Sequence, residues 1–232
     1  MRRLALCLLL CACKPPRPAG PGPVERLTLA GMACLSQRVG GAQPGERVPL
    51  ILSLHPMGGS AEGALELVSG LKKPARVLAP CGRQLIGGCL WYELREATGP
   101  SDAAQAVLRA AAELRAREPF PGKPLVTGFS QGAVVALTLA EEHPEAIAAA
   151  FPVAGALQAG TSRALLQPLP PVHAFSGEKD PVFPPAAVQE TIALLRAQGY
   201  PAVVEVMPGL EHDVDAAELG LLHAAIEAAL PQ

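Results

Sequence analysis

The stretch that decides the fold is Val126–Ala133, which reads Val-Thr-Gly-Phe-Ser-Gln-Gly-Ala. A run of strand-forming residues ends at Phe129, Ser130 stands between two glycines in the pattern G-x-S-x-G, and a segment rich in Ala, Val and Leu follows. A strand, a tight turn carrying a serine and a helix are the parts of a nucleophile elbow. A motif this short also arises by chance. The prediction that Ser130 is a nucleophile therefore depends on whether the rest of the chain supplies its partners.

The segments around this stretch predict a mostly parallel α/β sheet. Near-continuous apolar runs, typical of strands buried on both faces, lie at 48–54, 75–79, 147–153 and 172–176, with a last strand at 202–207. Helices are predicted at 60–71 with Ser60 as cap, from Ser101 onward, at 185–198 and at 214–230, while 80–99 is predicted to be one long loop. Residues 24–39 are predicted to form one or two strands bent at Gly31. Strands that alternate with helices indicate right-handed crossovers, with ligands bound beyond the carboxyl ends of the strands.

The partners of Ser130 follow by elimination. A serine hydroxyl needs a base within hydrogen-bond reach and a third group that orients the base, and on this class of sheet the chain order is Ser, then Asp or Glu, then His. His212 is the histidine in a loop directly after the last predicted strand. Asp180 alone of the four aspartates lies between Ser130 and His212. We therefore predict the triad Ser130, Asp180 and His212, with Glu178 as the alternative acid.

An oxyanion site needs backbone N–H groups aimed at the developing negative charge. One donor is expected from Gln131, the residue after the nucleophile, and the other from the loop after the early strand, His55–Gly59. Pro56 has no N–H, so Met57 is predicted as the second donor. Gly58 and Gly59 are predicted to let the substrate approach the backbone closely.

These motifs together resemble the phospholipase/carboxylesterase family of α/β-hydrolases, which includes the acyl-protein thioesterases. The similarity lies in the elbow Gly128–Gly132, in the acid loop Gly177–Pro184, in the histidine loop Gly209–His212 and in the segment Gly87–Glu93. The resemblance implies an α/β-hydrolase fold with a mostly parallel central sheet, helices on both faces and no large lid. It further implies serine carboxylesterase or thioesterase activity without a cofactor, on a small-molecule or acyl ester that Trp91 and Phe183 would help to bind.

The sequence departs from that family in its early loop, which reads His-Pro-Met-Gly-Gly where the family reads His-Gly-Leu-Gly-Asp. The long acyl-binding loop of the family is also hard to recognise, the chain is poor in aromatic residues, and an export signal is predicted. Together these departures favour small carboxylic esters over long-chain protein deacylation. A secreted esterase of the feruloyl or polyhydroxyalkanoate type and a serine peptidase remain as alternatives. A non-catalytic scaffold that acts as a binding module is the alternative of another class.

The amino-terminal residues predict export. Arg2 and Arg3 precede a short apolar run, and the sequence Leu-Cys-Ala-Cys ends at Cys13. This layout is that of a signal peptide and is similar to a bacterial lipoprotein signal. We therefore predict a signal peptide at 1–12, lipidation of Cys13, a Pro- and Gly-rich tether at 13–23 and a hydrolase domain at 24–232. An anchored protein of the bacterial cell envelope is the prediction, with a periplasmic or secreted soluble protein as the alternative.

Charge and cysteine usage exclude several classes of partner. The formal net charge is −2 and no basic stripe appears, which argues against nucleic acid. The sequence contains no run of 18 apolar residues, so it predicts no transmembrane helix. No His or Cys pair has the spacing of a metal site. Cys81 and Cys89 flank a Gly-containing loop and either pair in an oxidising compartment or stay free, whereas Cys34 is expected to be a buried thiol. The oligomeric state stays open.

Overall fold

The computed structural model describes residues 20–157 and 169–231. Its centre is an eight-stranded sheet in the order β1-β2-β4-β3-β7-β8-β9-β10. The strands of this sheet are β1 (Val24–Leu29), β2 (Met32–Val39), β3 (Leu50–Leu54), β4 (Ala75–Pro80), β7 (Leu125–Phe129), β8 (Ala149–Val153), β9 (Val172–Gly177) and β10 (Ala202–Met207). The pairs β1–β2 and β2–β4 are antiparallel and the other pairs are parallel. The predicted mostly parallel sheet is confirmed.

Five helices cover the two faces of this sheet. They are α1 (Ala61–Glu66), α2 (Gly99–Arg117), α3 (Gln131–Glu142), α4 (Pro185–Ala197) and α5 (Ala216–Ala229). Apolar residues of α2, α3 and α4 pack in one core, and those of α1 and α5 pack in a second core on the opposite face. Strand β3 contributes side chains to both cores, because Leu50 and Leu52 point to the first core and Ile51 points to the second.

The prediction of one long loop at 80–99 is wrong in part. It contains a small antiparallel hairpin formed by β5 (Arg83–Leu85) and β6 (Gly88–Leu90). The three residues of β5 are exposed, so the apolar pattern that reveals a buried strand is missing there. The tertiary contacts of β6, described below, explain why the hairpin forms.

Two predicted helix boundaries also differ. Helix α2 begins at Gly99 with Thr98 as its cap, because Pro100 suits the first turn, and Ser101 lies inside the helix with its hydroxyl donating to Glu142. Ser60 caps α1 as predicted, and its hydroxyl accepts the Gly63 N–H. Helix α1 nevertheless ends at Glu66, since the following residues form tighter turns with bonds three residues back.

The predicted signal peptide and the predicted lipidation site Cys13 lie outside the described residues. Within 20–157 and 169–231, no helix is long and apolar enough to cross a bilayer.

Candidate active site

Ser130 stands on a strained turn between β7 and α3. Its backbone angles are φ 56° and ψ −117°, in the region that non-glycine residues rarely adopt, and its N–H donates to the Val153 carbonyl at 2.9 Å. A Cβ on Gly128 would lie 2.6 Å from the Gly132 carbonyl, and a Cβ on Gly132 would lie 2.3 Å from the Leu54 carbonyl. Both glycines are therefore required by close backbone contacts. This is the geometry that the G-x-S-x-G pattern predicts for an elbow.

The structure brings Ser130, His212 and Asp180 together in one hydrogen-bonded chain. The distance from His212 Nε2 to Ser130 Oγ is 2.9 Å, and the distance from His212 Nδ1 to Asp180 Oδ2 is 2.7 Å. Because a carboxylate accepts hydrogen bonds, the ring proton belongs on Nδ1, which leaves the Nε2 lone pair free to accept the serine proton. Glu178, the alternative acid, is exposed and instead accepts the Gly209 N–H at 2.8 Å.

The Asp180 carboxylate is buried and held on both oxygens. Oδ1 accepts the backbone N–H groups of Val182 and Phe183, each at 2.8 Å, and Oδ2 faces His212. The Asp-Pro turn after β9 thus supplies the donors that aim the carboxylate. Two aromatic rings lie beside the His212 imidazole. The Phe129 ring is stacked with a centroid distance of 4.9 Å, and the Phe183 ring lies tilted with a centroid distance of 6.0 Å.

The two predicted oxyanion donors lie at the ends of neighbouring parallel strands, β3 and β7. Gln131 is the first residue of α3, whose initial N–H groups have no partner within the helix and carry the positive end of the helix dipole. Met57 lies in the turn after β3 with 52% of its surface exposed. Among the residues that the structure describes, neither amide donates to an intramolecular acceptor. Both N–H groups are therefore free to bind an oxyanion.

His55, at the start of the loop after β3, holds the peptide that carries the Met57 N–H. The ring is fully buried, and its Nδ1 lies 2.8 Å from the Pro56 carbonyl, which also accepts the Gly59 N–H at 2.9 Å. This carbonyl belongs to the same planar peptide as the Met57 N–H, so fixing one end aims the other. His55 Nε2 accepts the Gly82 N–H at 3.2 Å, and burial lowers the pKa of the ring. The neutral Nδ1–H tautomer follows from these contacts.

The Gln131 side chain ties the elbow to the Trp91 segment. Its Oε1 accepts the Trp91 N–H at 3.0 Å, and its Nε2 donates to the Tyr92 carbonyl at 2.8 Å. Trp91 stacks on His55 at 4.4 Å between ring centroids, and its Nε1 donates to the His55 carbonyl at 2.8 Å. A glutamine directly after the nucleophile was the available signal for this contact, but its partners are 39 and 40 residues away.

The predicted substrate-binding residues fall into two groups. Trp91 is only 8% exposed and supports His55 from within the fold. Gly58 and Gly59 lie in the loop His55–Gly59 after β3, which carries Met57 and which we call the oxyanion turn. Phe183 is half-buried beside His212. A cavity of about 390 Å³ is lined in part by Pro56, Gly59 and Leu219 and by Phe129 and Asp213, the chain neighbours of Ser130 and His212, but by none of the three triad residues.

The structure joins Cys81 and Cys89 in a disulfide, with their Cα atoms 5.5 Å apart. Cys34 is a free, buried thiol whose pKa burial raises to about 11. A thiol in this state is unreactive at neutral pH.

Glu218, in the first turn of α5, is a buried carboxylate near the triad that the sequence analysis missed. It is 0% exposed, and neither side-chain oxygen has a hydrogen-bond partner among the described residues. Burial raises its pKa to about 7, with further increases from the negative charges of Asp215, Asp180 and Asp213. An acidic residue at this position of a capped helix is ordinarily exposed, so its burial could not be inferred from sequence.

No group of three or more His, Cys, Asp or Glu side chains that could hold a metal ion occurs within the described part of the chain.

A family model adds an independent finding. The model of the dienelactone hydrolase family matches residues 86–220, which include Ser130, Asp180 and His212. The chain belongs to the dienelactone hydrolase family. A comparison with curated proteins finds no match.

Solved structures of similar fold include several esterases. A carboxylesterase from Mesorhizobium loti is 20% identical with a TM-score of 0.75, and covers 88% of this chain and 98% of its own. The Bacillus cereus carboxylesterase is also 20% identical, with a TM-score of 0.70 and coverage of 85% and 94%. Arabidopsis thaliana SOBER1 is 18% identical, with a TM-score of 0.65 and coverage of 78% and 98%. These likenesses confirm the α/β-hydrolase fold and are consistent with the phospholipase/carboxylesterase type.

The family match and the fold together indicate that this chain is a serine-type enzyme that hydrolyses esters.

Proposed function

We propose that the chain is a serine carboxylesterase that works through Ser130, His212 and Asp180 and an acyl-enzyme intermediate. The observation that carries this proposal is the continuous chain of hydrogen bonds from Ser130 Oγ to His212 and on to Asp180, at 2.9 and 2.7 Å. The backbone amides of Met57 and Gln131, which donate to no acceptor among the described residues, are the proposed oxyanion donors.

In the acylation step, Ser130 Oγ attacks the ester carbonyl carbon as His212 Nε2 takes the hydroxyl proton. The carbonyl π electrons move onto oxygen, and the Met57 and Gln131 N–H groups bind the resulting oxyanion. Asp180 stabilises the imidazolium and keeps the ring in its productive tautomer. The tetrahedral intermediate collapses, the alkoxide leaves with the proton from His212, and an acyl group remains on Ser130.

Deacylation repeats the same chemistry with water. His212 removes a proton from water, hydroxide adds to the acyl carbonyl, and the carboxylic acid leaves as Ser130 Oγ regains the proton from His212. A thioester would follow the same path with a thiol as the leaving group.

We further propose that the preferred substrates are esters of small acids. The loop His55–Gly59 supports this proposal, because it departs from the His-Gly-Leu-Gly-Asp pattern of the family that includes the acyl-protein thioesterases. A series of p-nitrophenyl esters from acetate to palmitate tests this proposal, and kcat/KM is expected to fall as the acyl chain lengthens. A rise toward palmitate would favour long-chain deacylation instead.

The proposed nucleophile is tested with the full chain and a fluorophosphonate probe. We expect an adduct on Ser130, and a loss of roughly 10⁴–10⁶-fold in kcat for p-nitrophenyl acetate in Ser130→Ala. Ser69→Ala, which changes a serine of the turn after α1, is the matched control and should keep full activity.

Two results would contradict the proposal. A folded chain with neither adduct nor ester hydrolysis would favour the binding module, and faster hydrolysis of peptides than of esters would favour a peptidase.

We also propose export to the cell envelope and lipidation of Cys13. The amino-terminal motif supports this proposal, as does the disulfide, since disulfides persist in oxidising compartments. Labelling of the full chain in a bacterial host with an alkyne fatty acid should give a lipidated product that Cys13→Ser lacks. Equal labelling of both would rule out Cys13 as the anchor.

A further inference from the structure

Two backbone hydrogen bonds of Cys89 fasten the oxyanion turn to the β5–β6 hairpin. The Gly58 N–H donates to the Cys89 carbonyl at 2.9 Å, and the Cys89 N–H donates to the Gly59 carbonyl at 2.7 Å. These two bonds hold the residues that directly follow Met57. With the Pro56 carbonyl already held by His55, both flanks of the Met57 amide are fixed.

The disulfide connects this contact to the central sheet. Cys81 directly follows β4, and its N–H donates to the Ala33 carbonyl of β2 at 2.8 Å. From there a covalent path runs through the two sulfur atoms to Cys89 and then, by hydrogen bonds, to Gly58 and Gly59. Both half-cystines are buried.

The hairpin is held weakly on its β5 side, whereas Cys89 and Leu90 of β6 are buried. Each strand has three residues, β5 is exposed throughout, and isolated two-stranded hairpins are marginal in water. Its ion pair between Arg83 and Glu93, at 3.3 Å, is exposed on both sides and contributes little. The firm anchor of the segment is Trp91, which lies two residues beyond Cys89.

We propose that the Cys81–Cys89 disulfide is a positioning element of the oxyanion site, so that its loss lowers kcat for ester hydrolysis and leaves KM nearly unchanged. The proposal rests on the esterase function proposed above. The disulfide does not touch the substrate, and it acts by holding Cys89 against the turn that carries the Met57 amide. A dithiol reductant would break it by giving two electrons and two protons, forming two thiols and its own cyclic disulfide.

The expected effect is smaller than the loss of a donor. Removing one oxyanion donor typically costs roughly 10²–10³-fold in kcat, whereas here the donor remains and only its position becomes less defined. Trp91 also keeps part of the segment in place. We expect about a tenfold fall in kcat, since misplacement by an ångström is enough to reach a hundredfold loss.

The first test compares the oxidised full chain with the double variant Cys81→Ser/Cys89→Ser, using p-nitrophenyl acetate. The double variant should lose kcat, keep its KM and bind an alkyl boronic acid, which forms a tetrahedral adduct on serine, about tenfold more weakly. The wild-type chain, reduced with dithiothreitol and desalted, should match the variant. Cys34→Ser is the control for the third thiol and should leave kcat in the oxidised form unchanged.

A second variant breaks the contact and leaves the disulfide in place. A Cβ on Gly88 would lie 2.2 Å from the Gly58 carbonyl, so Gly88→Ala must push the hairpin away from the turn. It should lose kcat as the double variant does. Gly220→Ala is the matched control, because a Cβ there meets nothing within 4 Å.

A double variant that melts at a lower temperature but keeps kcat and boronate affinity at 25 °C would overturn the proposal and leave the disulfide purely structural. Unchanged kcat in Gly88→Ala would also overturn it. An oxidised wild-type chain without ester hydrolysis would refute the esterase function itself, which separates the two failures.

Discussion

The turn that carries Ser130 and the turn that carries Met57 end two adjacent strands, β7 and β3, yet they are held in different ways. The elbow is fixed by the backbone itself, since Gly128 and Gly132 leave no room for a side chain and the Ser130 N–H bonds to β8. The oxyanion turn is fixed by residues 27–36 positions further along the chain, through Gly82, Cys89 and Trp91.

The elbow is therefore the rigid part of the site, whereas the geometry of the oxyanion turn depends on contacts with other parts of the chain. Strain in the elbow is stored locally and is sustained by close packing at the sheet edge. The oxyanion turn is bonded to a disulfide-linked hairpin and to a buried histidine, so we expect that it can be perturbed without touching the nucleophile. Substitutions in the first part should cost both stability and rate, and those in the second part should cost mainly rate.

The sharpest test of the elbow is Gly132→Ala. The new Cβ would lie 2.3 Å from the Leu54 carbonyl, which is backbone and cannot turn away. We expect a loss of about 3 kcal/mol in the free energy of unfolding, because the close contact forces the backbone apart. We expect kcat to fall by roughly 10²-fold, because Ser130 is displaced. Urea unfolding and p-nitrophenyl acetate kinetics measure both quantities, with Gly220→Ala as control, and unchanged values for Gly132→Ala would contradict the packing argument.

The backbone of Gln131 belongs to the elbow, and its side chain binds the Trp91 segment. The variant Gln131→Ala therefore separates the two contributions. The variant keeps the backbone N–H of residue 131 but leaves the buried Trp91 N–H and Tyr92 carbonyl without their partner. We expect a loss of roughly 2 kcal/mol in stability, because an unpaired buried group costs its desolvation. We also expect kcat to fall by about tenfold, through displacement of the Trp91 segment. Gln189→Ala, at an exposed position of α4, is the control. Retained kcat would show that the segment does not communicate with the donors.

The smallest expected effect on kcat concerns Glu218, on the acid side of the site, whose influence on stability appears as a dependence on pH. The pKa of Glu218 is raised from 4.5 to about 7 in the folded chain, so the folded state binds the extra proton between these values. Its contribution to stability is complete below pH 4.5 and is lost as pH rises through 7, by about 3 kcal/mol in total.

Glu218→Gln should remove this loss, so the variant should melt at a higher temperature than wild type at pH 8 and at a similar temperature at pH 4.5. Glu190→Gln, exposed on α4, is the control. Equal shifts at both pH values would show that packing and not ionisation is responsible. Neither the elbow nor the oxyanion turn should be affected, since the Glu218 carboxyl group makes no hydrogen bond to either among the described residues.

Much of the fold could be predicted because its signals are local. Buried parallel strands read as continuous apolar runs, and β3, β4, β7, β8 and β9 were found for that reason. Hairpin β5–β6 was missed because its exposed strand carries no such pattern, and α2 was misplaced because the serine at 101 competed with the proline that starts the helix.

The sequence by itself determined the identity and the order of the residues that meet at the sheet edge. Ser130, Asp180 and His212 each follow a strand, and parallel strands bring their carboxyl ends to one edge. Only the tertiary structure decided how the amides are aimed. The contacts of His55 with Gly82, of Gln131 with Trp91 and of Cys89 with Gly58 join residues far apart in the chain, and Glu218 is buried only in the folded protein. Local propensity carries no record of such contacts, because their energy comes from packing and desolvation that exist only once the chain has folded.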